Sequence, residues 1–464
     1  MHKTRARIGI ALTLAALLIS LTARAQAPQP VVLLIVVDTL RADRLGCYGH
    51  TRPTSPGLDR WSERAAIFDH AFAPSGWTAP SVGSILTGCI PPRHGFGARK
   101  IDATGVIEWT PLGDALPTLA ERMAALGFRT AGFVTNPFLS KEFGAGRGFH
   151  TYSYGEASNR RIRRADTGVR LAWTWLERHP NEATFVFLHM MDPHMDYDPP
   201  KATRGRFTGG LAGRLPVRGV DRVREEGLAS AARREFVSAA YDEEVCFVDM
   251  QITRLLDLLE NSGRMQDAIV IVTSDHGEEM FEHGGFEHGH SLHQEILRVP
   301  LMIWAPSVRA GRYDTRVSLV DILPTVLEGV RAQGATPKAE AKLSAPSLLD
   351  GISLWPLITE GKTSEALEDR SLLVHGTYHG AEQAALVDWP HKLILPGDGP
   401  PRLYHLVDDP GELDDRADDD ARRTDRMRAD LEERIRRGEL ERRSGPITLD
   451  AETLERLRSL GYTN

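Results

Sequence analysis

Three seven-residue stretches constrain this chain more than anything else in it: Val31–Val37, Thr184–Met190 and Ala268–Ser274, near-continuous apolar runs rich in β-branched residues. Side chains alternate along a strand, so a run with no polar face suits a strand covered on both sides, as in a parallel sheet between helices. Amphipathic spacing at Leu116–Leu126 (closed by Gly127), Asp166–Arg178 and Glu235–Glu260 supplies the helices, and Arg129–Thr135 a further strand. The predicted fold class is α/β, a mostly parallel central sheet flanked by helices, with a smaller C-terminal sheet subdomain.

The residues just beyond each run matter as much. The first run ends at Asp38, the second leads into Asp192-Pro193-His194, and the third ends in Asp275-His276-Gly277-Glu278. In open α/β sheets ligands bind outside the carboxyl ends of the strands, so residues far apart in sequence can converge there. A single such Asp serves equally well as a turn or cap residue, but acids and imidazoles at three strand ends point to a site. Asp38, Asp275 and His276 offer oxygen and nitrogen ligands for one divalent cation, and Ca²⁺, Mg²⁺, Mn²⁺ and Zn²⁺ all suit such a set.

A hydroxyl nucleophile is available in the glycine-framed stretch Gly76–Gly88, at Thr78, with a helix predicted to begin at Pro80. A cation shared with Thr78 would lower the pKa of that hydroxyl, otherwise a poor nucleophile at neutral pH. Ser75 and Ser81 are rival hydroxyls. His194, with His288 and His290 from the loop Glu282–His290, would bind anionic oxygens or protonate a leaving group.

Elsewhere, Lys201–Arg234 is rich in Gly and Arg without apolar periodicity and reads as an exposed loop or lid, its basic residues solvated or facing an anion. Val237, Tyr241, Val245, Val248, Ile252, Leu255 and Leu259 form the core face of the long helix. Leu301–Trp304 reads as a short strand and Val317–Val330 as a helix, kinked or started at Pro324. A composition shift after about Arg331 divides a catalytic domain, 28–335, from a subdomain, 336–464. The latter has strands at Leu372–His375, Ala384–Trp389, His391–Leu395 and Leu403–Leu406, then solvated helix over Leu413–Arg443.

Residues 1–27 combine Lys3, Arg5 and Arg7, an apolar run from Ile8 to Leu21, and small-x-small sites at Ala23-Arg24-Ala25 and Ala25-Gln26-Ala27. This is the pattern of a cleaved secretory signal, the run being short for a membrane span. A secreted or periplasmic protein with no stable membrane anchor is expected. Losing Lys3, Arg5, Arg7 and Arg24 would take the formal charge from −7 to −11, which offers nucleic acid no global attraction. Cys47, Cys89 and Cys246 are too few for a disulfide scaffold and fit no zinc spacing.

These motifs, in this order, resemble the sulfatase family of the alkaline phosphatase superfamily. The resemblance rests on Val37–Asp43, Thr54–Asp59, Thr78-Ala79-Pro80-Ser81 through Leu86-Thr87-Gly88, Pro91-Pro92-Arg93-His94-Gly95, Asp192-Pro193-His194 and Ser274–Glu278. Glu295 with Arg298-Val299-Pro300, Leu403–Leu406 with Asp409-Pro410, and the tail Leu454–Tyr462 complete it. It implies a hydrolase of anionic esters with one divalent ion, Ca²⁺ by family habit, acting on a small-molecule, glycan or lipid anionic ester.

Two positions depart from the pattern. Formylglycine-dependent members carry Cys or Ser where this chain has Thr78, and Arg where it has Val82; threonine cannot become the aldehyde, so no formylglycine is expected. The second early aspartate is replaced by Thr39. A sulfated threonine would need direct attack of water at sulfur, whereas phosphoryl or phosphonyl transfer through a hydroxyl carries no such handicap. Sulfate and phosphorus esters both stay open, with the mechanism favouring phosphorus. The alternative is a decayed relative that binds anionic glycans or headgroups.

Overall fold

The computed structural model describes residues 29–101, 106–155, 163–335, 349–442 and 444–459. The leader expected over residues 1–27, the stretch 336–348 beyond the composition shift and the last residues of the tail lie outside them.

The chain runs through β1 (Val31–Val37), β2 (Ala66–Phe72), α1 (Thr78–Thr87), α2 (Leu119–Ala125), β3 (Arg129–Val134), β4 (Thr151–Tyr154), α3 (Ala165–Glu177) and β5 (Thr184–Met190). It continues through α4 (Val220–Ala229), α5 (Ala231–Asn261), β6 (Ala268–Ser274), β7 (Arg298–Val299), β8 (Leu301–Trp304), β9 (Gly311–Ser318) and α6 (Ile322–Ala332). The nine strands form one sheet in the order β7-β2-β8-β6-β1-β5-β3-β4, with β9 beside β2. The stretch β6-β1-β5-β3-β4 is parallel throughout, and β8 joins it antiparallel through β6. The α/β expectation holds.

All seven residues of β1 are buried, and they divide between two cores. Val32, Leu34 and Val36 face one that includes α1, α2 and α6; Val31, Leu33, Ile35 and Val37 face another that includes α3 and α5. That period of two, with apolar side chains on both faces, is why the run has no polar phase.

Several boundaries differ from the sequence reading. Helix α1 begins at Thr78, two residues before Pro80, so the candidate nucleophile is itself the first helical residue. Lys201–Arg234 is not all loop: it contains α4, and the buried Glu243 carboxylate accepts the amides of Gly205, Phe207 and Thr208, pinning the preceding segment. Val317 and Ser318 close strand β9. Ser318 and Asp321 then form a capping box, and α6 starts at Ile322, which puts Pro324 in the first turn where a missing N–H costs nothing. Strand β2 is inconspicuous in the sequence because Asp69 and His70 interrupt its apolar run; both are only half-buried.

A second sheet comes next, with β10 (Leu372–His375), β11 (Ala384–Asp388), β12 (His391–Leu395) and β13 (Arg402–His405) antiparallel in sequence order. Its two faces have different fates. Leu372, Val374, Ala385, Val387, Ile394 and Tyr404 join the first of the two main cores. Leu373, Leu386, Leu393 and Leu403 pack with Met427 and Leu431 of α7 (Ala421–Glu441) in a small core of their own. The charged terminal helix is therefore not simply solvated: Thr424, Met427, Leu431 and Gly438 form a buried seam along it. The three cysteines are free thiols.

Candidate active site

Strand register alone brings the ligand candidates together. Val37 of β1 lies level with Met190 of β5 and Ser274 of β6, so the next residues out, Asp38 and Asp275, stand side by side at the carboxyl edge. Asp38, Asp275 and His276 are fully buried, and one ligand atom from each lies within 4.8 Å of the others. Thr78 arrives from the N-terminus of α1 with its Oγ1 3.3 Å from His276 Nε2.

Two residues that the sequence reading passes over complete the arrangement. Asn136, two positions beyond β3, donates from Nδ2 to Asp38 Oδ2 at 2.9 Å and to Thr78 Oγ1 at 3.1 Å. His189, inside β5, places Nε2 3.7 Å from Asp275 Oδ2 and 3.9 Å from Asp38 Oδ2. The signals available were an Asn-Pro pair after a strand and a lone imidazole in an apolar run.

The electrostatics call for a cation. Burial, then the neighbouring Asp275, pushes the Asp38 carboxyl above its usual range. Burial would do the same to Asp275, but His276 and His189 outweigh it and hold that carboxyl low. Asp38 Oδ1 and Asp275 Oδ2 have no hydrogen-bond partner. Two buried carboxylates with orphaned oxygens beside a hydroxyl and an imidazole make a donor set that fits a divalent metal. His276 Nδ1 lies 2.9 Å from the Gly277 carbonyl. With the proton on Nδ1, the lone pair of Nε2 turns towards Thr78 and the carboxylates.

His194 and His288 gather at the same place, their ring centroids 5.0 Å apart and that of His288 4.5 Å from that of His276. Each is held through Nδ1, His194 by the Met195 carbonyl at 2.6 Å and His288 by Glu278 Oε1 at 2.8 Å. Glu278 in turn accepts from the Tyr197 hydroxyl at 3.0 Å. Burial, with His276 and His194 nearby, pushes His288 well below the usual histidine range.

His290 is placed differently, its Nε2 2.7 Å from Glu279 Oε2, engaged by a carboxylate rather than by this imidazole cluster. The rival hydroxyls are also committed: Ser75 donates to the Gly376 carbonyl and Ser81 to that of Asp275. Val82, at the arginine position of the formylglycine motif, is packed in the core. Thr39 is buried in a left-handed conformation, φ 57°, its Oγ1 unpartnered and its carbonyl accepting from the Tyr241 hydroxyl. Tyr241 thus does more than fill the core.

A second group of metal-capable side chains, His283, His293 and Glu295, reads as an ion pair. His283 and His293 stack at 3.6 Å within 8° of parallel, so no ion can lie in both ring planes. Burial alone would lower His283, but Glu295 Oε1 at 2.8 Å and the Glu412 carbonyl lift it to about 9. The pair ties the histidine loop to the segment after β13.

The sulfatase family profile matches residues 30–330, about two thirds of the chain and the whole of this site. The chain belongs to the sulfatase family. An arylsulfatase of Clostridium perfringens is 24% identical over 404 residues, 72% of this chain and 79% of the relative. A protein solved with its substrate D-glucosamine-2-N,6-O-disulfate superimposes with a TM-score of 0.70 at 20% identity, over 89% of this chain and 98% of the other. The phosphonate monoester hydrolase of Agrobacterium radiobacter gives 0.68 at 19% identity, over 91% and 100%. At these identities the solved structures establish a shared fold. Family membership makes this sulfatase an ester-bond hydrolase, in a family that generally binds a divalent metal; sulfate and phosphorus esters both occur among its relatives and neighbours.

Proposed function

We propose that this sulfatase-family protein is a metal-dependent hydrolase of anionic esters in which Thr78 is the nucleophile, with phosphorus esters preferred over sulfate esters. The observation that carries the reading is the position of Thr78 Oγ1, at the first residue of α1, hydrogen-bonded by Asn136 and facing His276 beside Asp38 and Asp275.

Asp38, Asp275, His276 and Thr78 would hold the metal, which when bound supplies positive charge that acidifies the hydroxyl and polarises the ester. Oxygen-only sets suit Ca²⁺, and the imidazole nitrogen shifts the expectation to a borderline ion such as Mn²⁺ or Zn²⁺. Thr78 Oγ, as alkoxide, attacks phosphorus in line, and the bond from phosphorus to the leaving oxygen breaks with its electron pair. That oxygen takes a proton from His194, while the neighbouring His288, pushed low by burial, is left to hydrogen-bond the ester oxygens. Water then attacks the phosphothreonine, returns one proton to His194 and regenerates the Thr78 alkoxide. Asn136 steadies Oγ1 throughout. The corresponding sulfothreonine has no second hydroxyl with which to expel sulfate, which is why phosphorus is favoured.

Purified protein assayed in parallel on aryl sulfate, phosphate monoester and diester, and phosphonate monoester, with Ca²⁺, Mn²⁺ and Zn²⁺, tests the reading. Phosphorus esters should turn over fastest. Thr78→Ala, assayed at saturating metal, should lower kcat by at least about 10³-fold with its melting temperature nearly kept and the metal still held by Asp38, Asp275 and His276; retained turnover would remove Thr78 as nucleophile. Full metal loading without turnover of any ester would favour an anion-binding relative. Export to the periplasm or medium belongs to the same reading, supported by the basic, apolar and small-residue order of residues 1–27. The intact mass of protein recovered there checks it.

A further inference from the structure

The C-terminal sheet reaches the strap that carries His288. The turn between β10 and β11 reaches into the catalytic half, where the Tyr378 and His379 amides both donate to the Gly289 carbonyl at 2.7 Å. The Gln383 side chain donates to the His290 carbonyl at 2.8 Å. Gly289 is clamped from its other side by its own amide, which donates to the Gly76 carbonyl at 3.0 Å. The strap carrying His288 is therefore fixed between the segment entering α1 and this turn.

Tyr378 and His379 of the turn each meet an element that carries a site residue. The Tyr378 ring lies 5.1 Å from that of Trp77, which precedes Thr78, and 6.4 Å from that of Phe138, which lies two residues after Asn136. His379 lies against Gly289, its Cδ2 3.6 Å from where a Cβ would stand, and Gly289 has φ +76°. No larger residue fits there without strain and a close approach to the turn. Whereas His194, His276 and His288 are buried, His379 is only half-buried. Its charge also bears on His288.

We propose that His379 is a specificity-determining residue that hydrogen-bonds a hydroxyl group on the leaving-group side of the substrate, so that the enzyme prefers esters of polyols or sugars to those of plain alcohols. This rests on the proposed function above. An imidazole both donates and accepts, which matches a hydroxyl.

Binding separates this proposal from the chemistry. Propylphosphonate and 2,3-dihydroxypropylphosphonate resist hydrolysis and differ only in hydroxyls. Calorimetric titration of metal-loaded wild type should favour the dihydroxy ligand. In His379→Ala the ratio of the two affinities should fall about fivefold to thirtyfold, with an unchanged melting temperature, and His379→Gln should restore part of it. Equal losses for both ligands, or an unchanged ratio, would overturn the proposal. Because no turnover is read, a failure of Thr78 as nucleophile leaves the ratio intact. Binding of neither phosphonate would instead count against the phosphorus reading, and the matching sulfonate pair then decides the role of His379 by the same ratio.

Discussion

At the scale of single residues, the sequence makes legible whatever stands at the end of a conspicuous strand. Asp38, Asp192 and Asp275 are visible because a charge abruptly ends an apolar run, and register then brings two of them level. Asn136 is not, since a neutral amide beyond an ordinary strand breaks no pattern, and His189 is hidden by its own strand. Asn136 is nevertheless the residue that joins a metal-ligand candidate to the proposed nucleophile, donating from one nitrogen to both. Asn136→Ala should lower kcat and metal affinity by about 10-fold to 100-fold, the usual effect of losing an outer partner of a ligand. Its side chain also accepts the Phe138 amide, a cap worth ~1 kcal/mol, so the variant should stay folded at 25 °C. Metal titration and steady-state kinetics check this; normal kcat with normal metal affinity would mean that Asn136 is only a cap.

At the scale of elements, α1 shows how a motif can be recognised without its purpose. Pro91-Pro92-Arg93-His94-Gly95 stands out in the sequence with no role attached, and the structure makes His94 the brace behind α1, the helix that carries Thr78. Its Nε2 lies 3.0 Å from Ser84 Oγ, its Nδ1 accepts the Phe96 amide at 2.9 Å, and its ring abuts Gly83, where an added Cβ would come within 2.8 Å. Glycine at 83 is thus a close-approach residue. Such contacts arise between distant turns, which periodicity does not encode. Burial pushes the imidazole down to about 3, against roughly 6.5 in an unfolded chain. Between those values the unfolded state holds a proton that the native state lacks, so stability rises with pH across the window and is lost as pH falls from about 6.5 towards 3. His94→Gln should cost about 1–3 kcal/mol at pH 7 from imperfect replacement of the two hydrogen bonds. The gap from wild type should narrow in acid, where wild type alone carries the His94 penalty. Urea unfolding at pH 7 and pH 4.5 measures both; a gap independent of pH would show that His94 does not titrate on unfolding.

At the scale of the whole molecule, the composition shift marks a change in sheet rather than a break in the core. One face of the second sheet supplies Leu372, Val374, Ala385, Val387, Ile394 and Tyr404 to the hydrophobic cluster that also holds Val32, Leu34, Trp77 and Leu86. The tail returns as well, with Leu449 and Leu457 buried in the same cluster and Ile447 bridged to Trp109. The strands of that sheet are legible as alternating segments, but alternation says only that both faces are covered, not which of them the catalytic half covers. A chain ending at Ala335 would uncover the partners of these eight side chains and of others in the same cluster, Leu354, Trp355 and Ile358 among them. Burying one large aliphatic contributes roughly 1.5–3 kcal/mol, so the loss is on the order of the entire stability of a domain, about 5–15 kcal/mol. The full chain should therefore unfold in one transition by fluorescence and circular dichroism, whereas the truncated chain should be aggregated or molten, binding a hydrophobic dye, and inactive on every ester. A truncated chain that melts cooperatively and retains ester hydrolysis would show that the shared core is dispensable and that the second sheet serves the site only through the turn carrying His379.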